Sequence, residues 1–374
     1  MERNAILPVR DGEVLEAIRA FLSSLLQGKL IDALLVPLET PKGYNIVPTI
    51  VSNPDWLQAA NPLAPVMPLN SARVVSLMTM VSPSPNRLGV VLRPCELRAL
   101  IELVKLKQAS LENLLLIGVD CLGTYSISDY GRFIQETASP AKEFLNKFSE
   151  GKEDPLLRKA CQVCEYPIPM AADLVIGLVG VDLNTGILLK ANTPEGERII
   201  EELGLEEGTI EGRGDTISKL VSQRVEKREQ LFRQVQDDIH GLEKLMTTLA
   251  PCVNCHNCKT ACPLCYCKEC FFDSPVFEFE SEKYFGWAQK KGGALRMPTD
   301  TLLFHLTRLN HMVISCVGCG LCTEACPNNI PVFDIFRLVG YQVQKAFDYV
   351  PGRSLDEELP LTTFKETELK EVGV

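Results

Sequence analysis

A chain of 374 residues with 46% hydrophobic content has apolar material for one large or two to three modest cores. Asp and Glu outnumber Lys and Arg by 48 to 38, which argues against nucleic acid as a partner. Residues 1–19 carry charges where a signal peptide needs an apolar core, and the longest apolar run, around 174–181, is far too short to cross a bilayer. The chain therefore reads as cytoplasmic, without a membrane span, and its 15 cysteines in a reducing compartment argue for metal binding rather than disulfides.

In chain order, residues 12–28 place Val14, Leu15, Ile18, Phe21, Leu22 and Leu25 at helical spacing and end on a glycine, the pattern of an amphipathic opening helix. A strand over 31–37 follows. Residues 47–85, punctuated by prolines from Pro48 to Pro85, read as loop laid over a core. Residues 88–92 and 114–119 are short apolar runs separated by a helical segment, 94–107, that begins with proline. This is a βαβ unit and hence a parallel strand pair.

Cys95 lies just past the first of those strands and Cys121 just past the second. An open parallel sheet brings such positions side by side at its carboxyl edge, where these folds place ligands. Cys161 and Cys164 follow on a loop before a strand expected over 172–179. The four thiols could converge as ligands of an iron-sulfur cluster. Alternatively, Cys95 and Cys121 are small buried hydrophobes and only the C-x2-C pair binds anything.

After an apolar segment at 186–191, a polar stretch rich in Gly and Glu, 192–213, marks the end of a first domain near residue 200. From 215 to about 249, Ile217, Leu220, Val221, Val225, Leu231, Phe232, Val235, Ile239, Leu242 and Met246 recur at mostly three- and four-residue intervals. That period predicts one connecting helix of roughly 50 Å. Its charged opposite face makes it a coiled-coil or solvated spacer, or a docking face for a partner.

The densest chemistry follows. Cys252, Cys255, Cys258 and Cys262 before Pro263, then Cys316, Cys319, Cys322 and Cys326 before Pro327, each obey C-x2-C-x2-C-x3-C-P. In such a run three thiolates hold one 4Fe-4S cube, the fourth reaches across to the other, and the proline turns the chain away. The spacing assigns Cys252, Cys255, Cys258 and Cys326 to one cluster, and Cys316, Cys319, Cys322 and Cys262 to its neighbour. Zinc also takes four thiolates, but it favours two separated C-x2-C pairs over an eight-cysteine double run.

The segment between Cys262 and Cys316 is too long for a compact ferredoxin hairpin, and helical periodicity at 299–312 and 332–347 sets these sites among helices. Cys265, Cys267 and Cys270 lack an obvious fourth thiolate. They read as shielding or hydrogen bonding around a cube, with a further metal site completed by another residue or subunit as the alternative. His256, inside the first run, reads as a neighbour of the ligands or a solvated side chain. From 353 the tail is polar and acidic.

Arg93-Pro94-Cys95-Glu96-Leu97-Arg98-Ala99-Leu100, Gly118-Val119-Asp120-Cys121, and Cys161-x2-Cys164 followed by Ala172-Asp173-Leu174-Val175-Ile176-Gly177 give residues 30–200 a resemblance to the coenzyme F-420 hydrogenase/dehydrogenase beta-subunit family. The second ferredoxin run is similar to the helical modules of heterodisulfide reductase and succinate dehydrogenase subunits. The first, with Cys-Pro-Leu-Cys-Tyr-Cys, is similar to formate dehydrogenase beta subunits of this family. Many relatives place the ferredoxin in front of the flavin-type domain, whereas here it follows.

The resemblance implies FAD and an iron-sulfur cluster on an α/β core, with Cys95, Cys121, Cys161 and Cys164 holding that third cluster. It also implies electron passage between a catalytic subunit and a soluble carrier: a deazaflavin such as coenzyme F-420, NAD or another acceptor. The sequence contains no G-x-G-x-x-G, Walker A or serine-nucleophile motif, so the flavin rests on the resemblance, and its contact residues and any catalytic residue stay unassigned.

The expected architecture is an α/β core with parallel strand pairing (1–200), a linker and long helix (201–250), an α-helical dicluster ferredoxin domain (251–350) and a polar tail (351–374). The expected function is that of an electron-transfer iron-sulfur flavoprotein subunit of an anaerobic oxidoreductase of formate dehydrogenase or heterodisulfide-reductase type. It would dock a larger redox catalytic subunit near the loops around Cys252 and Cys316. A flavin-free ferredoxin-like carrier, a self-sufficient deazaflavin oxidoreductase and a zinc-stapled scaffold are the alternatives.

Overall fold

The computed structural model describes residues 3–363 apart from 42, 44, 152 and 153; most of the tail expected from 351 lies outside the described residues. Strands β1 (Asn4–Pro8), β2 (Ala33–Glu39), β3 (Ile46–Val51), β4 (Leu88–Leu92), β5 (Leu114–Val119), β6 (Leu174–Gly177) and β7 (Gly186–Ala191) form one sheet in the order β1-β7-β6-β5-β4-β2-β3. Its centre is parallel (β2·β4, β4·β5, β5·β6), while β2·β3, β6·β7 and β1·β7 are antiparallel. This is the expected α/β core with parallel pairing.

The central strands are continuous apolar runs because helices cover both faces, and every residue of β4 is buried. Helix α1 (Val14–Gln27) buries Ile18, Phe21, Leu22 and Leu25 against Leu115, Ile117 and Val119 of β5 on one face. On the other face, α2 (Ser71–Thr79) and α3 (Pro94–Lys105) pack with Leu116, Val90 and Leu92. The period-two alternation along β5 separates the two cores. Helices α4 (Ile127–Glu136), α5 (Pro140–Ser149), the single turn α6 (Lys159–Gln162) and α7 (Pro194–Glu202) complete this part.

Residues 47–85 carry more regular structure than their prolines predicted, since β3 and α2 both fall there. Pro48 is tolerated because β3 is an edge strand with no outer neighbour to receive a hydrogen bond. The Asn70 side chain starts α2 by accepting from the Ala72 amide at 3.1 Å. The polar stretch after 191 is likewise still part of the sheet's surroundings: Ile199 and Ile200 of α7 are fully buried, and Ala5 bridges to Glu207.

The single helix expected over 215–249 is two. Helix α8 (Arg213–Asp238) is capped by Ile239, and α9 (Gly241–Thr248) starts at Gly241, which turns the chain with φ 80°. The 26 residues of α8 span about 39 Å. Leu231, Phe232 and Val235 dock it against Ala160 and Val163 on one side and Phe333 and Leu338 on the other.

The rest of the chain is helical: α10 (Asn257–Thr260), α11 (Ser281–Lys290), α12 (Thr301–Met312), α13 (Leu321–Glu324) and α14 (Val332–Ala346). It is pinned to the α/β part by buried polar contacts. The Glu165 carboxylate pairs with Arg228 of α8 at 2.8 Å and Arg337 of α14 at 2.5 Å. Arg98 of α3 donates to the Pro351 carbonyl at 2.7 Å, and Glu102 accepts from the Gly352 amide at 2.8 Å. Among the described residues, no helix is long and apolar enough to cross a membrane.

Candidate metal centres

Cys252, Cys255 and Cys258 line one cavity together with Cys326 from the second run. The loop that carries the first three curls because Asn254 and His256 sit in the left-handed region, at φ 51° and 59°. Around this outer group, the Asn254 amide donates to the Cys252 sulfur at 3.4 Å, the Ile330 amide donates to the Cys326 sulfur at 3.4 Å, and His305 Nε2 lies 3.4 Å from Cys252. Burial, helped by the Arg308 charge, holds His305 down at about 4, so its ring is neutral at pH 7. His256 is tied to Asp273 at 3.0 Å and stacks on Phe304.

In the second run Gly318 and Gly320 occupy the same two loop positions, at φ 71° and 75°. A Cβ on Gly320 would stand 2.4 Å from the Ala160 Cβ of the α/β part, so only glycine fits this contact. Burial pushes the Cys316, Cys319 and Cys322 thiols up, Cys319 to about 12, and the Cys262 charge acts on all three in the same direction. Cys262 therefore lies near these three thiols. A hydrogen bond from the Cys265 thiol brings Cys262 itself down to about 6.

The third group is at the sheet's carboxyl edge. Cys95 is fixed at the start of α3 because the Glu96 carboxylate accepts from the Arg93 amide at 3.0 Å and the Ser71 amide at 2.8 Å. Cys121 follows β5, and its amide donates to the Pro167 carbonyl at 2.8 Å. These two thiols and Cys161 and Cys164 at α6 line one cavity, whose wall also includes Arg158, Arg224 and, from the ferredoxin part, Gly318 and Cys319. Burial pushes Cys95 and Cys164 up and Cys121 to about 11. At Cys161 burial is outweighed by the Arg158 guanidinium and the Thr124 hydroxyl, which lies 3.3 Å from the sulfur, and the thiol goes down.

Two sets of four thiols each line one cavity, and the charges of Cys262, Cys316, Cys319 and Cys322 act on one another; four thiols are the donor set that a 4Fe-4S cube takes. The arginines at the sheet-edge and middle groups suit a dianionic guest. Among the described residues, no three His, Cys, Asp or Glu are arranged around a single metal ion. The thiols surround spaces instead, as a cube with each thiolate on a different iron requires.

Cys265, Cys267 and Cys270 have different surroundings. The Cys265 sulfur is 3.4 Å from Met312 Sδ, Cys270 packs near Phe272, and Cys267 is exposed. The cationic lining escaped sequence reasoning. Arg93, Arg98 and Arg158 stand within three residues of a cysteine and could have been flagged, whereas Arg224 and Arg308 come from distant helices. Of the two loops expected to meet a partner, the one at Cys316 is covered by the α/β part, while the one at Cys252 keeps Val253 and Cys255 exposed.

Residues 86–216 match a family that covers the C terminus of the coenzyme F420 hydrogenase/dehydrogenase beta subunit, and residues 248–330 match a 4Fe-4S dicluster domain. The chain is 27% identical to the F420-dependent formate dehydrogenase subunit beta of Methanocaldococcus jannaschii, over 96% of each chain. It is 24% identical to the F420-dependent formate dehydrogenase 1 subunit beta of Methanococcus maripaludis, over 94% of each. A third relative, the coenzyme F420 hydrogenase subunit beta of Methanococcus voltae, is 23% identical over 54% of this chain and 82% of its own.

Proposed function

We propose that this chain, which belongs to the coenzyme F420 hydrogenase/dehydrogenase beta-subunit family and ends in a 4Fe-4S dicluster domain, is the electron-transfer subunit of a formate dehydrogenase-type oxidoreductase. Cys95, Cys121, Cys161 and Cys164 hold a 4Fe-4S cluster at the sheet edge. Cys262, Cys316, Cys319 and Cys322 hold the middle one, and Cys252, Cys255, Cys258 and Cys326 the outer one. The observation that carries this order is that Cys319 and Gly318 wall the sheet-edge cavity, so the middle group adjoins it directly.

The family likeness supports FAD on the α/β part. A bound flavin exchanges a hydride with a soluble carrier, a deazaflavin or NAD, and releases electrons singly. The chain's own residues position and insulate the clusters. Glu96 fixes Cys95, Arg158 and Thr124 neutralise and orient Cys161, and the buried Glu165 pairs hold the two parts in register. The exposed Cys255 loop is where a larger redox subunit would meet the outer cluster.

Anaerobic purification with iron, sulfide, zinc and flavin analysis tests this reading. About twelve iron and twelve sulfide per chain, with FAD, are expected from three cubes. About eight iron would remove the sheet-edge cluster, iron without flavin would leave a plain electron carrier, and stoichiometric zinc would sink the cluster assignment.

A further inference from the structure

Among the described residues, one buried cation in the ferredoxin part pairs with no carboxylate. Arg308, on the inward face of α12 beside Phe304 and His305, is 5% exposed. Its Nη2 donates to the Cys258 carbonyl at 2.9 Å, and its guanidinium lies 4.8 Å from the centre of the Phe336 ring. Nε and Nη1 are buried without a hydrogen-bond partner. The groups whose charge acts on it most are Cys262, Cys258, Cys265 and Cys322, ahead of any carboxylate. A buried charge is retained only where something of opposite sign offsets its desolvation.

Cys258 belongs to the outer group, and Cys262 and Cys322 to the middle one. We infer that Arg308 is a positioning residue whose single charge is shared by the two C-terminal clusters and raises the reduction potential of both. The inference rests on the cluster assignment above. A cube with four thiolates is anionic, and taking up one electron makes it more so. A fixed cation in a dry, low-dielectric setting therefore stabilises the reduced form of each neighbour. Because one charge acts on both, the middle and outer potentials move together, which preserves the step between them. The sheet-edge cavity has its own arginines and is not lined by Arg308, so it serves as an internal control.

The test uses the full-length, cluster-loaded chain in three forms, wild type, Arg308→Met and Arg308→Lys, with iron analysis and EPR-monitored redox titration. Arg308→Met should keep the wild-type iron count and lower both C-terminal potentials. At a fixed potential the reduced-to-oxidised ratio should fall at least tenfold, about 59 mV for one electron, while the sheet-edge signal stays put. Arg308→Lys should remain within about threefold of wild type in that ratio. Unchanged potentials in Arg308→Met, or a shift of only one of the two, would overturn the inference. If Arg308→Met loses iron, retention of iron by Arg308→Lys upholds the role of charge, and loss in both variants reduces Arg308 to packing and overturns it. Zinc or no metal in the wild-type C-terminal part would show, before any variant is made, that the cluster assignment itself had failed and the inference with it.

Discussion

Gly320 and Asn254 are left-handed loop residues of the two copies of one motif, Asn254 before the second cysteine of its run and Gly320 after the second cysteine of its own, and the structure asks different things of them. Both have positive φ, but Asn254 is in a surface loop, whereas Gly320 meets Ala160 across the joint between the two parts. Gly320→Ala should therefore destabilise the protein by about 1–3 kcal/mol, through backbone strain and a forced separation at the joint. Asn254→Gly should stay within about 1 kcal/mol. Chemical denaturation of the two variants, followed by tryptophan fluorescence, checks the difference. The glycines were plain in the sequence, but their reason was not, because Ala160 is far away in the chain. The same holds for the ligands. Spacing alone suggests a grouping of the eight C-terminal cysteines, whereas Arg308 comes from a helix whose packing no local pattern encodes.

At the level of elements, legibility followed the strength of the hydrophobic pattern. Leu88–Leu92 and Leu114–Val119 are strands with the bounds expected of them, since fully buried parallel strands are continuous apolar runs. Prolines over 47–85 obscured β3, because an edge strand can absorb a residue that a central one cannot. The periodicity over 215–249 was sound, but it stays in phase across the break at Ile239–His240, so the turn at Gly241 was invisible to it. The short α6 was read as loop, yet it carries Cys161, leads directly into Cys164 and docks on α8. Replacing Cys164 by Ala should lower the iron content by about four per chain, and colorimetric iron analysis reads this directly. Glu165, the next residue, holds the joint. Glu165→Ala would leave Arg228 and Arg337 without their buried anion and should cost about 3–5 kcal/mol in thermal or denaturant unfolding. A loss under about 1 kcal/mol would mean that the joint does not depend on this ion triad.

For the whole molecule, the proposed function is that of a wire between two reaction sites rather than of a complete enzyme. The α/β part presents four thiols in one cavity whose wall includes Gly318 and Cys319 of the second cysteine run, and Cys255 of the first run is exposed. The purified chain should show only diaphorase-type turnover, moving electrons between a reduced soluble carrier and an artificial dye. Formate oxidation by the isolated chain, assayed as carrier reduction, would overturn its place as a subunit. The most direct measurement of the central claim is EPR of the fully reduced chain with spin quantitation. Three adjoining 4Fe-4S clusters predict about three unpaired spins per chain with mutually broadened lines, and removal of the sheet-edge signal by Cys164→Ala should narrow the middle cluster's line. About two spins whose line shape is unmoved by that substitution would contradict a continuous three-cluster path.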